Sequence, residues 1–394
     1  MPRHRAERFE DIAAELESSG CPPLPPISGF VGRSDGALLF DLIAPYRATG
    51  TNLYYLQQLL SYAQQDRDGT ALRAVYEVLD DVVCLSLPVV RIWGFNDLPR
   101  DPSAIRHDPD SGFREEGLRG LDQAVFEAKR RGIRLIIPLV NNWGEYGGIP
   151  AYAAWAAKAS GGPVDHDDFF TSPLMKQWWK DYATVLLSRV NTFTGIAYRD
   201  EPAILAWEIG NELRCPSCRG GAKLAEAVRE LAGFLRQIAP NQLISDGGDG
   251  FDDNPSSYLG LSNLYAVRGD EGTSFSRLAA LDELDMVSYH LYPHNYGLDT
   301  AKDTEVWIER HQAIAAVHGK VAYLGECGFI APDVERARSY DGWLRQLFVA
   351  NGGQLGLFWQ LSPAGRLDND GLSVYSRRDD ATAWILGRWG KALR

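Results

Sequence analysis

The stretch AILAWEIGNELRC (Ala203–Cys215) begins as a run of strand-forming apolar residues and ends in polar ones, with two glutamates, Glu208 and Glu212, four positions apart. Glu208 falls inside the run, and Glu212 lies past its end. A short strand with apolar residues on both faces reads as one covered by helices, and in parallel barrels the chemistry sits where such strands stop. Glu208 is therefore expected to be a paired group inside the barrel wall. Glu212 is expected to face a cleft.

Seven comparable runs flank it: YRATGTNL, PVVRIWG and IRLIIPLV before, and NQLISDGG, DMVSYHLY, KVAYLGEC and LGLFWQLS after. Helical periodicity fills the intervals near 71–81, 117–131, 173–190, 222–238, 304–318, 334–350 and 381–393, with a short helix near 274–281. Eight strands, each followed by a helical or partly helical segment, predict an α/β fold, a single (β/α)8 TIM barrel over residues 30–394. An open doubly wound sheet would carry a Gly-rich phosphate turn after its first strand, and the sequence has none there. Residues 1–29 read as an N-terminal arm: an amphipathic helix near Ala6–Ser18, then the extended, Pro-rich CPPLPPISG.

The chain has 394 residues, 45% of them hydrophobic and 23% charged, with a formal net charge of -12. That charge disfavours nucleic acid and anionic membranes as partners and favours a neutral substrate. No apolar run approaches the ~18 residues of a membrane span. The N-terminus lacks the apolar core of a signal peptide, which leaves localisation open between the cytoplasm and secretion with the signal removed. A monomer is expected. Of five cysteines only Cys215 and Cys218 are close in sequence. A lone C-x-x-C is a poor zinc site and reads as a local disulfide or two free thiols. Asp165, His166, Asp167 and Asp168 have the composition of metal ligands but read as a solvated loop entering a helix. Neither a metal nor an organic cofactor is expected.

The strand ends carry Asn52, then Arg91 and Trp93, Asn141 and Trp143, Asn211 and Glu212, Asp246 and Asp249, His290 and Tyr292, Glu326, and Trp359. Such a set suits a polar, aromatic-walled cleft. Glu212 and Glu326 are 114 positions apart (326 minus 212), so only the fold could join them. Glycoside hydrolysis needs such a pair: one carboxyl protonates the leaving oxygen while the other attacks the anomeric carbon or activates water. Sugar rings stack their C–H faces on indole and phenol rings and hydrogen-bond through their hydroxyls. Trp178, Trp179, Trp343 and Trp384 fall in helical segments and read as packing of the outer shell.

With these residues in place the sequence resembles the endo-β-1,4-mannanases of glycoside hydrolase family 5. The likeness is carried by VVRIWGFND (Val89–Asp97), LVNNWGEYGG (Leu139–Gly148), the long block from Phe169 to Cys218 that contains the opening stretch, SYHLYP (Ser288–Pro293), LGECG (Leu324–Gly328) and LFWQL (Leu357–Leu361). The resemblance implies Glu212 as acid/base and Glu326 as nucleophile. It implies Asn211 as partner of the substrate 2-hydroxyl, and Arg91 and Tyr292 as the groups that keep the nucleophile ionised. His290 would lie beside the acid/base, Trp359 under the reacting sugar, Trp143 against a sugar nearer the non-reducing end, and Arg214 on the leaving-group side. Trp93 and Asn141 complete the expected substrate contacts. The family's N-E-P is N-E-L here, with Leu213 in place of proline, and DGGDGF matches the fifth-strand segment only in part. The implied activity is hydrolysis of internal β-1,4-mannosidic bonds with retention, on β-mannan or a related polysaccharide. An exo-acting β-mannosidase or a β-1,4-glucanase would use the same two glutamates, and a carbohydrate-binding barrel would lack one of them.

Overall fold

The structure, a computed structural model, describes residues 20–66, 68–299, 301–366, 370–376 and 378–394. The helix expected near Ala6–Ser18 lies outside them. Eight parallel strands close into a barrel: β4 (Ala48–Asn52), β5 (Val89–Arg91), β6 (Arg134–Pro138), β7 (Ile204–Glu208), β8 (Leu243–Ser245), β9 (Met286–Leu291), β10 (Val321–Cys327) and β11 (Leu355–Phe358), with β11 pairing back onto β4. Each falls within one of the eight expected runs. Every residue of the eight strands is buried, because helices cover the outside and side chains fill the lumen.

The helical shell comprises α1 (Leu56–Ala63), α2 (Thr70–Cys84), α3 (Glu115–Arg130), α4 (Gly148–Ser160), α5 (Pro173–Ser188), α6 (Ala222–Ile238), α7 (Phe275–Ala279), α8 (Pro293–Tyr296), α9 (Lys302–Val317), α10 (Asp333–Arg345) and α11 (Asp380–Ala392). In α6, Leu224, Val228, Leu231 and Leu235 recur at spacings of three and four and form its buried stripe. At the start of α5, Ser172 accepts a hydrogen bond from the Met175 N–H and Pro173 occupies the first turn, where its missing N–H is not needed. The helix expected over 334–350 divides into α10 and a π turn, Gln346–Ala350.

Three strands were not expected: β1 (Val31–Ser34), β2 (Ala37–Phe40) and β3 (Ala44–Pro45), an antiparallel sheet ordered β1-β2-β3. Val31 and Leu38 join Val89, Ile136, Leu205 and Tyr323 in a second apolar cluster, so this sheet packs on the lower barrel core. The arm is also tied down. Cys21 is disulfide-bonded to Cys84 at the end of α2, Leu24 is buried, and Cys215 and Cys218 form a second, local bridge. Trp179 and Trp343 are shell packing as expected and Trp178 is partly buried, but Trp384 on α11 is 63% exposed. That corrects the expectation for Trp384, whose position on the helix turns it to solvent.

Candidate active site

The C-terminal ends of the barrel strands open into a cleft of about 700 Å³. Glu326 is the penultimate residue of β10, and its aim depends on a bulge. Leu324 pairs with Tyr289 and Glu326 pairs with the very next residue, His290, so Gly325 is an extra residue in the strand. Glu212 stands four residues past β7 at φ +52°, a left-handed conformation uncommon outside glycine, and its N–H donates to the Gly247 carbonyl at 2.9 Å. Gly247 permits this close crossing: a Cβ there would lie 2.1 Å from the Gly210 carbonyl oxygen.

The fold brings the two carboxyls together. A carboxylate oxygen of Glu212, one of Glu326 and a ring nitrogen of His290 all lie within 4.8 Å of one another. His290 Nδ1 is 2.8 Å from Glu212 Oε1 and 3.5 Å from Glu326 Oε2. The Tyr292 hydroxyl donates to Glu326 Oε2. Arg91 Nη1 donates to Glu326 Oε1 at 2.7 Å, and its Nη2 donates to Asn211 Oδ1 at 2.8 Å. Asn211 Nδ2 in turn donates to Asn141 Oδ1 at 3.0 Å, across an isolated bridge between the loops after β6 and β7. Glu208 is fully buried beneath this group and pairs with Arg91, as its place inside the strand predicts.

Aromatic residues form two flanks. On one, Trp359 stacks on Tyr54 at 5.0 Å and 6°, with Trp93 at 4.9 Å and Tyr146 at 6.1 Å from the Tyr54 ring. The Trp359 indole is held by Asp370 at 2.8 Å. On the other, the Trp143 indole donates to Glu212 Oε2 at 2.7 Å and the Arg214 guanidinium lies 5.2 Å from the Trp143 ring and 4.3 Å from the Phe251 ring. Arg214 is fixed by Asp249 at 2.6 Å and Glu271 at 3.3 Å. Trp143 thus sits beside Glu212 with Arg214. Tyr54, Phe251 and Tyr265, which also line the cleft, and Tyr146 packed against Tyr54 were not singled out in the sequence. Tyr54 and Phe251 stood close to strand-end residues, two positions after Asn52 and after Asp249.

The charges around the pair distribute unevenly. Burial pushes Glu326 up from the ordinary carboxylate value, against the pull of His290 and Arg91, and Glu212 adds to the push. Burial pushes Glu212 up as well, but the hydrogen bond and charge of His290, with Arg214 and the Trp143 indole, outweigh it and hold Glu212 at about 2. Burial pulls His290 down, and the two carboxylates more than restore it, so its value is raised. Along the 2.8 Å bond between them these charges favour the proton on His290 over Glu212. Two carboxyls this close would by themselves leave one of them protonated, and it is His290, Arg214 and the Trp143 indole that hold Glu212 ionised instead.

Glu212, His290 and Glu326 are also the one grouping of possible metal ligands among the described residues. All three are engaged with one another, with Arg91, with Tyr292 or with Trp143. The Asp165–Asp168 segment is a capping box at the start of a 3-10 turn, His166–Phe170, and Asp167 accepts from the Ser217 N–H at 2.7 Å, so it braces a loop.

Comparison with known proteins agrees with the geometry. Residues 28–322 match the family described as GH family 5 beta-mannosidase-like. The chain belongs to glycoside hydrolase family 5. Among its relatives a putative mannan endo-1,4-beta-mannosidase 4 of Arabidopsis thaliana is 36% identical over 267 residues, 67% of this chain and 63% of that protein, so the alignment spans less than two thirds of the relative. Two solved structures share the architecture. The endo-beta-1,4-mannanase of Thermotoga petrophila is 30% identical, with a TM-score of 0.77 and coverage of 88% of this chain and 77% of the other. The endo-1,4-beta-mannanase of Rhizomucor miehei is 28% identical, with a TM-score of 0.79 and coverage of 93% and 99%.

Proposed function

We propose that this family 5 protein is a retaining endo-β-1,4-mannanase. The observation that carries the reading is the pair of carboxyls at the ends of β7 and β10 with oxygens within 4.8 Å of each other. That spacing suits a nucleophile and an acid, where retaining enzymes hold ~5 to 5.5 Å and inverting ones need ~6.5 to 9.5 Å to admit water. The mannan preference rests on the relatives named for it.

A neutral sugar displaces water from the cleft, and a drier site disfavours the charged His290–Glu212 pair, so the proton passes along the 2.8 Å bond to Glu212. Glu326, held by Arg91 and Tyr292, attacks the anomeric carbon. The glycosidic C–O bond breaks, and the leaving oxygen takes the proton from Glu212. A water molecule then gives a proton to Glu212 and attacks the same carbon, which frees Glu326 and restores the β-configuration. Asn211 keeps one amide hydrogen for the 2-hydroxyl, with its oxygen held by Arg91. Trp359 presents one face to the sugar while Tyr54 backs the other. Arg214 receives the leaving side, and Trp143, beside Glu212 and Arg214, joins it there in place of the non-reducing side that the resemblance implied; Trp93 and Asn141 support the walls, and residues 30–394 act as one catalytic domain.

Product analysis tests the reading. Mannohexaose should be cut internally with β-anomers released first, and cellohexaose at under about a hundredth of that rate. Preference for cellohexaose, or release of single mannose units only, overturns the substrate assignment. Glu326→Ala retaining more than about a hundredth of wild-type activity on mannan overturns the nucleophile, because covalent catalysis needs the attacking group.

A further inference from the structure

The mechanism uses Arg91 as a fixed cation, and the structure shows what fixes it. Each of its three guanidinium nitrogens donates a hydrogen bond. Nε donates to Glu208 Oε1 at 3.0 Å and Oε2 at 2.9 Å, and Nη2 lies 2.7 Å from Oε2. The other donors go to Glu326 at 2.7 Å, Asn52 at 3.3 Å and Asn211 at 2.8 Å. A planar guanidinium gripped along one edge has no freedom at the other. Glu208 itself is set by the Tyr323 hydroxyl, which donates to Oε1 at 2.5 Å and lies 3.0 Å from Ser245 Oγ. Glu208, Tyr323 and Ser245 are all buried to within 1% of complete, so no sugar can reach them.

We infer that Glu208, oriented by Tyr323, is a positioning residue. Through Arg91 it sets both the nucleophile Glu326 and the 2-hydroxyl contact Asn211, while touching no substrate. The inference rests on the roles given to Glu326 and Asn211 above. A glutamine at 208 has one acceptor oxygen where the carboxylate has two and carries no charge, so it cannot accept from Nε, Nη2 and the Tyr323 hydroxyl together, and the loosened guanidinium is free to turn from Glu326. Misplacing a reacting group by about 1 Å suffices for a ~100-fold loss.

The test compares Glu208→Gln, Tyr323→Phe, Arg91→Met and the Glu208→Gln/Arg91→Met double variant, with Asp122→Asn as control. Asp122 pairs with Arg189 and Tyr198 outside the cleft, so its loss should lower the melting temperature and leave kcat unchanged. Glu208→Gln should lower kcat about 10- to 100-fold with KM within about threefold. It should also move the acid limb of kcat/KM up by at least about half a pH unit, because Glu326 loses its cation. Tyr323→Phe should do the same to a smaller degree, and it decides the matter if Glu208→Gln does not fold. On an Arg91→Met background Glu208→Gln should cost less than about a further twofold. The inference is overturned if folded Glu208→Gln or Tyr323→Phe keeps its kcat, if the losses multiply in the double variant, or if the acid limb moves down, since Arg91 would then hold Glu326 unaided. Were the wild type to prefer another β-linked glycan, the functional reading would fail, while the variant ratios measured on that glycan would still decide the positioning role.

Discussion

Two residues decide how the catalytic pair behaves, and neither is a carboxylate. Gly325 is the bulge residue of β10, and a Cβ there would lie 2.6 Å from Ser288 Oγ and 3.0 Å from His290 Nε2. Neither neighbour can retreat easily inside a close-packed lumen. Gly325→Ala should therefore displace His290 or Glu326 and lower kcat on mannohexaose at least about tenfold, with a smaller loss of thermal stability. Trp143 acts through charge. Its indole N–H supports the ionised form of Glu212, so removing it raises the Glu212 pKa. The Glu212–His290 pair is active while it keeps its shared proton, and a more basic Glu212 holds that proton more tightly, so Trp143→Phe should shift the alkaline limb of kcat/KM to higher pH, as read from a pH–rate profile. An unmoved or lowered limb would show that the indole bond does not bear on that proton. The sequence revealed both glutamates because each ends a strand. It did not reveal where the proton rests, which depends on His290 of β9 and on Arg214 and Trp143 from the loops after β7 and β6 converging on Glu212.

At the scale of elements, legibility followed burial pattern. The eight barrel strands were readable because each is a short apolar run bounded by turns, and α6 because its apolar residues recur at helical spacing. The Ala-rich α4, AYAAWAAKAS in its body, lacks the contrast between faces that such a reading needs. The β1–β2 hairpin did carry a signal: Asp35-Gly36 at its tip, with φ of +47° and +73°, is a favoured two-residue turn. It is missed when the domain is read from residue 30 with no element before the first barrel run, YRATGTNL. The bridge that anchors this region was illegible because Cys21 and Cys84 are 63 positions apart. Closing so long a loop restricts the unfolded chain, so Cys21→Ser with Cys84→Ser should lower the unfolding free energy by about 2–4 kcal/mol. The cleft lies at the opposite end of the barrel from the apolar cluster of β1 and β2, so kcat at low temperature should stay within about twofold. Denaturant melts beside steady-state rates would separate the two effects.

For the molecule as a whole, the order of strands and helices was enough to predict closure, since only a barrel leaves eight fully covered parallel strands without an edge. What order could not show is how many ionisable groups the lumen holds. Glu208, Asp246, His290, Glu326 and Arg91 are all buried at the top of the barrel, and Asp246 and Glu212 tie stability to pH in opposite directions. Asp246 is the clearest case. Burial pushes it up to about 6 from the ordinary 3.8, with Glu208 adding to the push, against hydrogen bonds from the Ser288 and Gly248 N–H groups and the Ser245 hydroxyl. A carboxyl whose pKa is raised on folding contributes stability in full below its unfolded value and loses it as pH rises through the folded one. The window is therefore about pH 4 to 6, and a shift of roughly two units corresponds to about 3 kcal/mol lost across it. Glu212, held at about 2, works the other way and in a separate window, losing stability only as pH falls below the ordinary 4.5. Asp246→Asn should accordingly flatten the dependence between pH 4 and 7 without altering that below pH 4. Urea titrations at pH 4 and pH 7 should show the wild type losing about 3 kcal/mol more than the variant between the two conditions. Equal losses in both proteins would mean that Asp246 titrates near its ordinary value and that the lumen holds its charge without strain.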